Sequence, residues 1–237
     1  MSNLLCANFF TNIGKIFTTS VYMEDIGFGL LTTLVVSLGA ALLGCILGTI
    51  VAFVNISKSK SAGMKICKSL CNVYVTVIRG TPMALQLFIM YFVVFTLRGF
   101  PPMLTATLAF GINSGAYVAE NIRAGILSVD YGQTEAGRAL GLSYTKTMVK
   151  IVVPQAIKNV IPAMCNEFIA LIKETSIVGM IGMFDLTQAA KIIASGENLA
   201  SYLEPMLVVA LFYLAIVYTL TFVIKLIERR LRAGDKR

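Results

Sequence analysis

A chain of 237 residues that is 57% hydrophobic and only 14% charged, with a mean hydropathy of +0.81, does not have the composition of a soluble domain, which carries about 25% charged residues. With no His, no Gly-x-x-x-x-Gly-Lys-Ser/Thr and no Gly-x-Ser-x-Gly, it lacks the parts of a phosphate-cradling loop or a hydrolytic triad, so an enzyme is not expected. The net charge of +8 sits mostly in short basic stretches beside apolar runs, which is ordinary in membrane proteins, and no nucleic-acid partner is expected. The chain reads as one all-α integral membrane domain covering residues 1–237.

Residues 1–26 form an N-terminal segment too short to span. Phe9, Phe10, Ile13, Ile16 and Phe17 recur at helical spacing, which suits a short interfacial helix. No basic stretch marks a cleaved signal peptide. Residues 27–54 are the first uncharged run long enough to cross a bilayer, which takes about 20 residues. Gly44 and Gly48 make a GxxxG there, read as an internal helix contact.

The second run is charge-free over residues 80–97, after Arg79. Gly80 and Pro82 inside a span predict a kink, serving as structure or as a hinge, and Gln86 follows. The third run, residues 99–119, starts at Pro101-Pro102. Asn113, Tyr117 and Glu120 are spaced i, i+4, i+7 and form one polar stripe, with Ser114 beside it and Arg123 within pairing distance of Glu120.

Pro154 and Pro162 are both read as first-turn prolines of the fourth span. Its apolar part, residues 162–184, is interrupted by Glu167, Lys173 and Glu174. A charge at that depth costs about 2.5–3.5 kcal/mol on insertion scales, so it is expected to face the bundle interior and to pair with other helices. Residues 185–204 read as a polar outer loop, and residues 205–224 as a last, lipid-facing span running into a basic tail at 225–237.

Five spans put the termini on opposite sides. Lys58, Lys60, Lys65 and Lys68 mark the first loop; Arg138, Lys146, Lys150 and Lys158 mark the third; Lys225, Arg229, Arg230, Arg232, Lys236 and Arg237 mark the tail. The alternate loops carry little more than Lys15, Arg98 and Lys191. The positive-inside rule then places the N-terminus outside and the C-terminus in the cytoplasm. The five cysteines, with no His and no CxxC, do not make a zinc site, and no metal is expected.

The segment 133–155 thus hangs in the cytoplasm. Glu135, Ala136, Gly137, Arg138, Ala139 and Leu140 should be helical, starting near Gln133 or Thr134 and broken by Gly141. Ser143 can cap a second amphipathic piece over residues 144–152 that stops before Pro154. The small face of Ala136, Gly137 and Ala139 suits docking into a groove of a partner.

The candidate solute path is Gln86, Asn113, Ser114, Tyr117, Glu120, Glu174, Thr175 and Ser176. An ion-coupled secondary carrier or channel using Glu120, Glu167, Lys173 and Glu174 is the alternative.

Glu135-Ala-Gly-Arg-Ala-Leu-Gly141, nine residues, then Ile151-Val-Val-Pro154 resembles the EAA loop of permease subunits of bacterial ABC importers. Gly137 stands where the third Ala is usual, and Val153 where Leu is usual. Arg79-Gly-Thr-Pro82 with Gln86, Ala116-Tyr-Val-Ala-Glu120 with Arg123, Gly132-Gln133 and Lys173-Glu-Thr-Ser176 resemble the polar amino acid branch, of histidine, glutamine and arginine type. The resemblance covers about residues 27–225. It implies a type I importer permease of five transmembrane helices in the bacterial cell membrane. A second permease subunit, identical or related, would complete the pore. An ATPase subunit would bind ATP and Mg and dock on residues 135–141, and an extracytoplasmic binding protein would deliver an amino acid. The chain itself would bind no cofactor.

Overall fold

The computed structural model describes residues 2–57, 59–95, 99–196 and 201–233. The expectations for Lys58, Arg98, Lys236 and Arg237 lie outside the described residues. Every regular element among the described residues is helical.

Helix α1 (Ser2–Thr18) leads into α2 (Ser20–Ile56), a 37-residue helix. The first core layer is the crossing of α2 with α5 (Pro102–Leu127). Glycines let the two backbones meet: a Cβ on Gly44 would lie 2.8 Å from Ser114 Cβ, one on Gly48 2.6 Å from Val118 Cβ, and one on Gly111 2.5 Å from Leu43 Cδ2. The GxxxG therefore serves an internal contact, as expected. Val36 and Ala40 of α2 and Ala106, Ala109 and Phe110 of α5 are buried in this layer.

Among the described residues three helices are long and apolar enough to cross a membrane: residues 20–56, 144–181 and 203–231. A bent pair, α3 (Ala62–Arg79) and α4 (Met83–Phe88, widening into a π-helical turn at Ile89–Val94), passes the same test only when its two arms are taken together as one broken span. Helix α5, 26 residues long, reaches about 39 Å at 1.5 Å per residue. It fails on apolarity because its polar groups Asn113, Ser114, Glu120 and Arg123 lie along its length; Asn113 and Ser114 are buried by other helices rather than by lipid.

The bend between α3 and α4 is 108°. The expected kink is thus a full break. Gly80 ends α3, Pro82 is extended out of the helix, and α4 restarts at Met83. A single missing N–H would only kink the helix, but here the Gln86 amide holds the broken end. Its Nε2 donates to Ile78 O (2.8 Å), Thr81 O (3.1 Å) and Thr81 Oγ1 (2.8 Å).

After α5 come α6 (Tyr131–Ala139), α7 (Tyr144–Thr147) and α8 (Val153–Glu174). The second amphipathic piece does not stop before Pro154. A π-helical stretch, Met148–Val152, joins α7 to α8. Its wider turn accommodates the Pro154 ring and missing N–H. Pro154 is a first-turn proline, as expected, whereas Pro162 lies inside α8.

A 3-10 turn, Thr175–Ile181, follows α8 and ends at Gly182, whose φ of +78° is left-handed. The Asp185 carboxylate then caps α9 (Leu186–Ser195), accepting from Thr187 N (2.9 Å) and Gln188 N (3.0 Å). The outer loop is therefore not simply polar. Leu186, Ala189, Ala190 and Ile193 are buried against α2 and α10 (Leu203–Arg232). Gly29 allows this approach, since a Cβ there would lie 2.7 Å from Asp185 O. Helix α1 lies against α2 and α10 as well. Its Ile16 is fully buried, and Asn12 Nδ2 donates to Glu204 Oε1 at 3.2 Å.

Candidate functional site: a polar cavity and a projecting helix

The end of α2, the last turns of α3 and the second half of α5 surround a cavity of 520 Å³. Tyr74 sets the spacing. Its hydroxyl donates to Ile112 O at 2.5 Å and rests on Gly115, where a Cβ would come within 2.8 Å of it. The wall carries Asn55, Asn72, Thr76, Arg79, Gly80, Tyr117, Glu120 and Arg123.

Glu120 is the centre of charge. It accepts from Arg123 Nε (2.9 Å) and Nη2 (2.5 Å), one turn along α5. Arg79 Nη1, from α3, stands 3.9 Å from the same carboxylate, and its guanidinium lies 5.3 Å from the centre of the Tyr117 ring. Two guanidiniums thus face one carboxylate, and the wall keeps a surplus positive charge. The pairs are partly exposed and add little stability, but they tie the last turn before the α3–α4 break to α5. Asn55 Oδ1 is buried with no hydrogen-bond partner among the described residues.

Of the residues expected on the solute path, Tyr117 and Glu120 line this cavity. Gln86 and Asn113 meet directly, Asn113 Nδ2 donating to Gln86 Oε1 at 3.0 Å, and Gln86 also borders an apolar cavity of 250 Å³. Ser114 is buried at the α2 crossing, beside the Glu167 carboxyl but without a regular hydrogen bond. Glu174 is exposed at the end of α8. Thr175 belongs elsewhere. It is fully buried, donates to Ile172 O at 2.7 Å, and neighbours Tyr213 in a cluster with Thr33, Asp185 and Thr187. Ser176 is half-buried beside it.

Among the described residues Lys173 and Glu174 form no ion pair with another helix. Sequence reasoning took Gly80 and Pro82 as the hinge and passed over Arg79, Asn55 and Asn72 as wall residues. The available signal was Arg79 itself, since an arginine ahead of a Gly-x-Pro break invites the same question as Glu120.

The second site is α6. It begins at Tyr131, two residues before the expected start, because the Asp130 side chain caps it by accepting from Gly132 N at 2.8 Å. Its far end is a Schellman closure: Leu142 N donates to Gly137 O (3.1 Å), Gly141 N to Arg138 O (3.0 Å), and Gly141 takes a φ of +80°. Arg138 Nη1 donates to Leu142 O at 2.8 Å, and Ser143 caps α7, as expected.

The small face divides. Gly137 is buried on Thr147, where a Cβ would lie 2.6 Å from Thr147 Cγ2 and 3.1 Å from Ile151 Cδ1. Gly137 is therefore the seat of the helix and not part of its outer surface. Glu135, Ala136, Arg138, Ala139 and Leu140 are exposed, Leu140 by 80%. One face of the helix is fixed to the chain that becomes α8, and the other is open.

A family model described as "Binding-protein-dependent transport system inner membrane component" matches residues 44–233. The arginine transport system permease protein ArtQ of Bacillus subtilis is 41% identical over 209 residues, 87% of this chain and 92% of that protein. The glutamine transport system permease protein GlnP of Escherichia coli is 35% identical over 192 residues, 80% and 84% of the two chains. A crystal structure of an amino acid ABC transporter with histidines superposes with a TM-score of 0.83 at 38% identity, over 91% of this chain and 98% of that one. The inward-facing methionine transporter MetNI shares the fold at a TM-score of 0.75 and 19% identity.

Proposed function

The chain belongs to the family of binding-protein-dependent transport system inner membrane components and is a multi-pass cell membrane subunit of an amino acid ABC importer, and we propose that it works by alternating access driven from α6. The carrier and channel alternative receives no support from these relatives. The proposed span order is α2, the broken α3–α4 pair, α5, α8 and α10, with the N-terminus outside and the tail in the cytoplasm, as the basic loops require. A separate ATPase would hold ATP and Mg, hydrolyse the ATP and press on Glu135 to Gly141. An extracytoplasmic protein would deliver the amino acid.

The observation that carries this reading is the mounting of α6. A helix with an open outer face is fixed by Gly137 to Thr147, and Thr147 continues through the π-helical joint into α8. A push on the outer face therefore moves α8, which bears Glu167 and Glu174. The exposure of Lys173 and Glu174 on α8 supports a second permease subunit. Charges within a span face protein or a water-filled path, not lipid. The solute would pass along Gln86, Asn113, Tyr117 and Glu120, with Gly80 and Pro82 as the hinge.

Glu135→Lys reverses a charge on the open face, and Gly141→Asp places a side chain at the left-handed position. Both should leave a membrane-inserted protein that no longer copurifies with its ATPase and no longer supports uptake. Undiminished ATPase copurification and uptake in both variants would overturn the coupling role.

A further inference from the structure

A third cavity, of 200 Å³, lies between the end of α2, the end of α5 and the start of α8. Its walls present carbon only, from Phe53 and Ile56, Ile122 and Ile126, and Val153 and Ile157. Where α5 and α8 touch they are tight, since a Cβ on Gly125 would lie 2.3 Å from Val160 Cγ2. The space opens beyond that contact. Its mouth is flanked by Phe53, 70% exposed, and Ile157, 44% exposed.

A void lined by hydrocarbon stays dry, and its lining forfeits dispersion contacts until carbon fills it. Cations stand at one end. The Ser57 carbonyl, next to Ile56, accepts from the Lys68 ammonium. Lys150 is exposed three residues before Val153. Carbon along the depth and ammonium groups at the end complement an acyl chain below a phosphate.

We propose that this cavity seats one acyl chain of an anionic phospholipid, inserted from the bilayer between α2, α5 and α8. The chain would touch Val153, the first residue after the π-helical joint, and so the segment through which α6 acts on α8. The leaflet, cytoplasmic, rests on the sidedness proposed above. The binding itself does not, and the test reads lipid in both leaflets.

The chain contains no Trp, so each introduced tryptophan reports alone. Ile126→Trp places one in the cavity, Phe53→Trp one at its mouth, and Leu214→Trp one on the exposed side of α10. Each variant is reconstituted in vesicles of phosphatidylcholine containing phosphatidylglycerol, with one or the other brominated in its acyl chains. Quenching by brominated phosphatidylglycerol should exceed that by brominated phosphatidylcholine about fivefold at Ile126→Trp, the size expected of a lysine beside an anionic headgroup. The two should be equal at Leu214→Trp.

Adding Lys68→Gln and Lys150→Gln should remove the preference while quenching remains. Phe53→Trp gives the same reading at a position that leaves the interior unchanged. No quenching at Ile126→Trp while Leu214→Trp is quenched would mean that protein, such as a second copy of the chain, fills the space, and would overturn the proposal. Equal quenching by both lipids at Ile126→Trp and Phe53→Trp would overturn it too.

Discussion

At the scale of single residues, the geometry separates positions that share one motif. Gly137 and Ala136 are neighbours in the stretch that resembles the EAA loop, yet one is the seat of α6 and the other its open face. The departure from the usual alanine at 137 has a local cause. Thr147 is fully buried and is held by its own bond from Oγ1 to Ser143 O at 3.1 Å, so it cannot swing away. Gly137→Ala would gain about 1 kcal/mol of helix propensity, but overpacking costs roughly 1–3 kcal/mol, and the second effect wins. The variant should denature at lower temperature in detergent and retain less ATPase. Thr147→Ser removes the methyl that the new Cβ meets and keeps the hydroxyl, so it should restore both when combined with Gly137→Ala. A double variant as weak as the single one would show that the seat lies elsewhere.

At the scale of elements, the sequence was most legible where local chemistry decides. Pro101-Pro102 starts α5, Gly141 ends α6, and Ser143 caps α7, because each needs only a fixed φ, a left-handed φ or one side-chain oxygen. It was least legible where tertiary contacts decide. Pro162 reads as a helix start, but sits inside α8 because the surrounding helices hold the helix across it. The π-helical joint at Met148–Val152 has no periodicity that marks it, and α9 was hidden in a loop because its apolar face only makes sense against Gly29 and α10.

The α3–α4 break lies between these cases. Gly80 and Pro82 announce a disturbance, but its size of 108° depends on Gln86 reaching back to two freed carbonyls and across to Asn113. Gln86→Leu keeps the bulk and removes every one of those bonds. Of its partners Asn113 is buried, and a buried polar group left without a partner costs roughly 1–3 kcal/mol. The variant should therefore lose thermal stability and uptake together, measured on the purified complex and in vesicles. Unchanged thermal stability would mean that the break is held by Pro82 alone.

At the scale of the molecule, the question is how many elements cross the bilayer. Length and apolarity single out three helices and one bent pair, whereas the loop charges call for five crossings. The difference is α5, whose Asn113 and Ser114 are buried against other helices and so lower its hydropathy without facing lipid. Three exposed positions decide the matter in a background from which the five native cysteines have been removed. Phe10 is 71% exposed on α1, Leu140 is 80% exposed at the end of α6, and Tyr202 is 61% exposed before α10. With five crossings, Phe10→Cys and Tyr202→Cys react with a membrane-impermeant maleimide added outside intact cells, and Leu140→Cys reacts only in inverted vesicles. If the α3–α4 pair turned back instead of crossing, or if α5 did not cross, one crossing would be lost between residues 10 and 140. Phe10→Cys and Leu140→Cys would then react from the same side and Tyr202→Cys from the other.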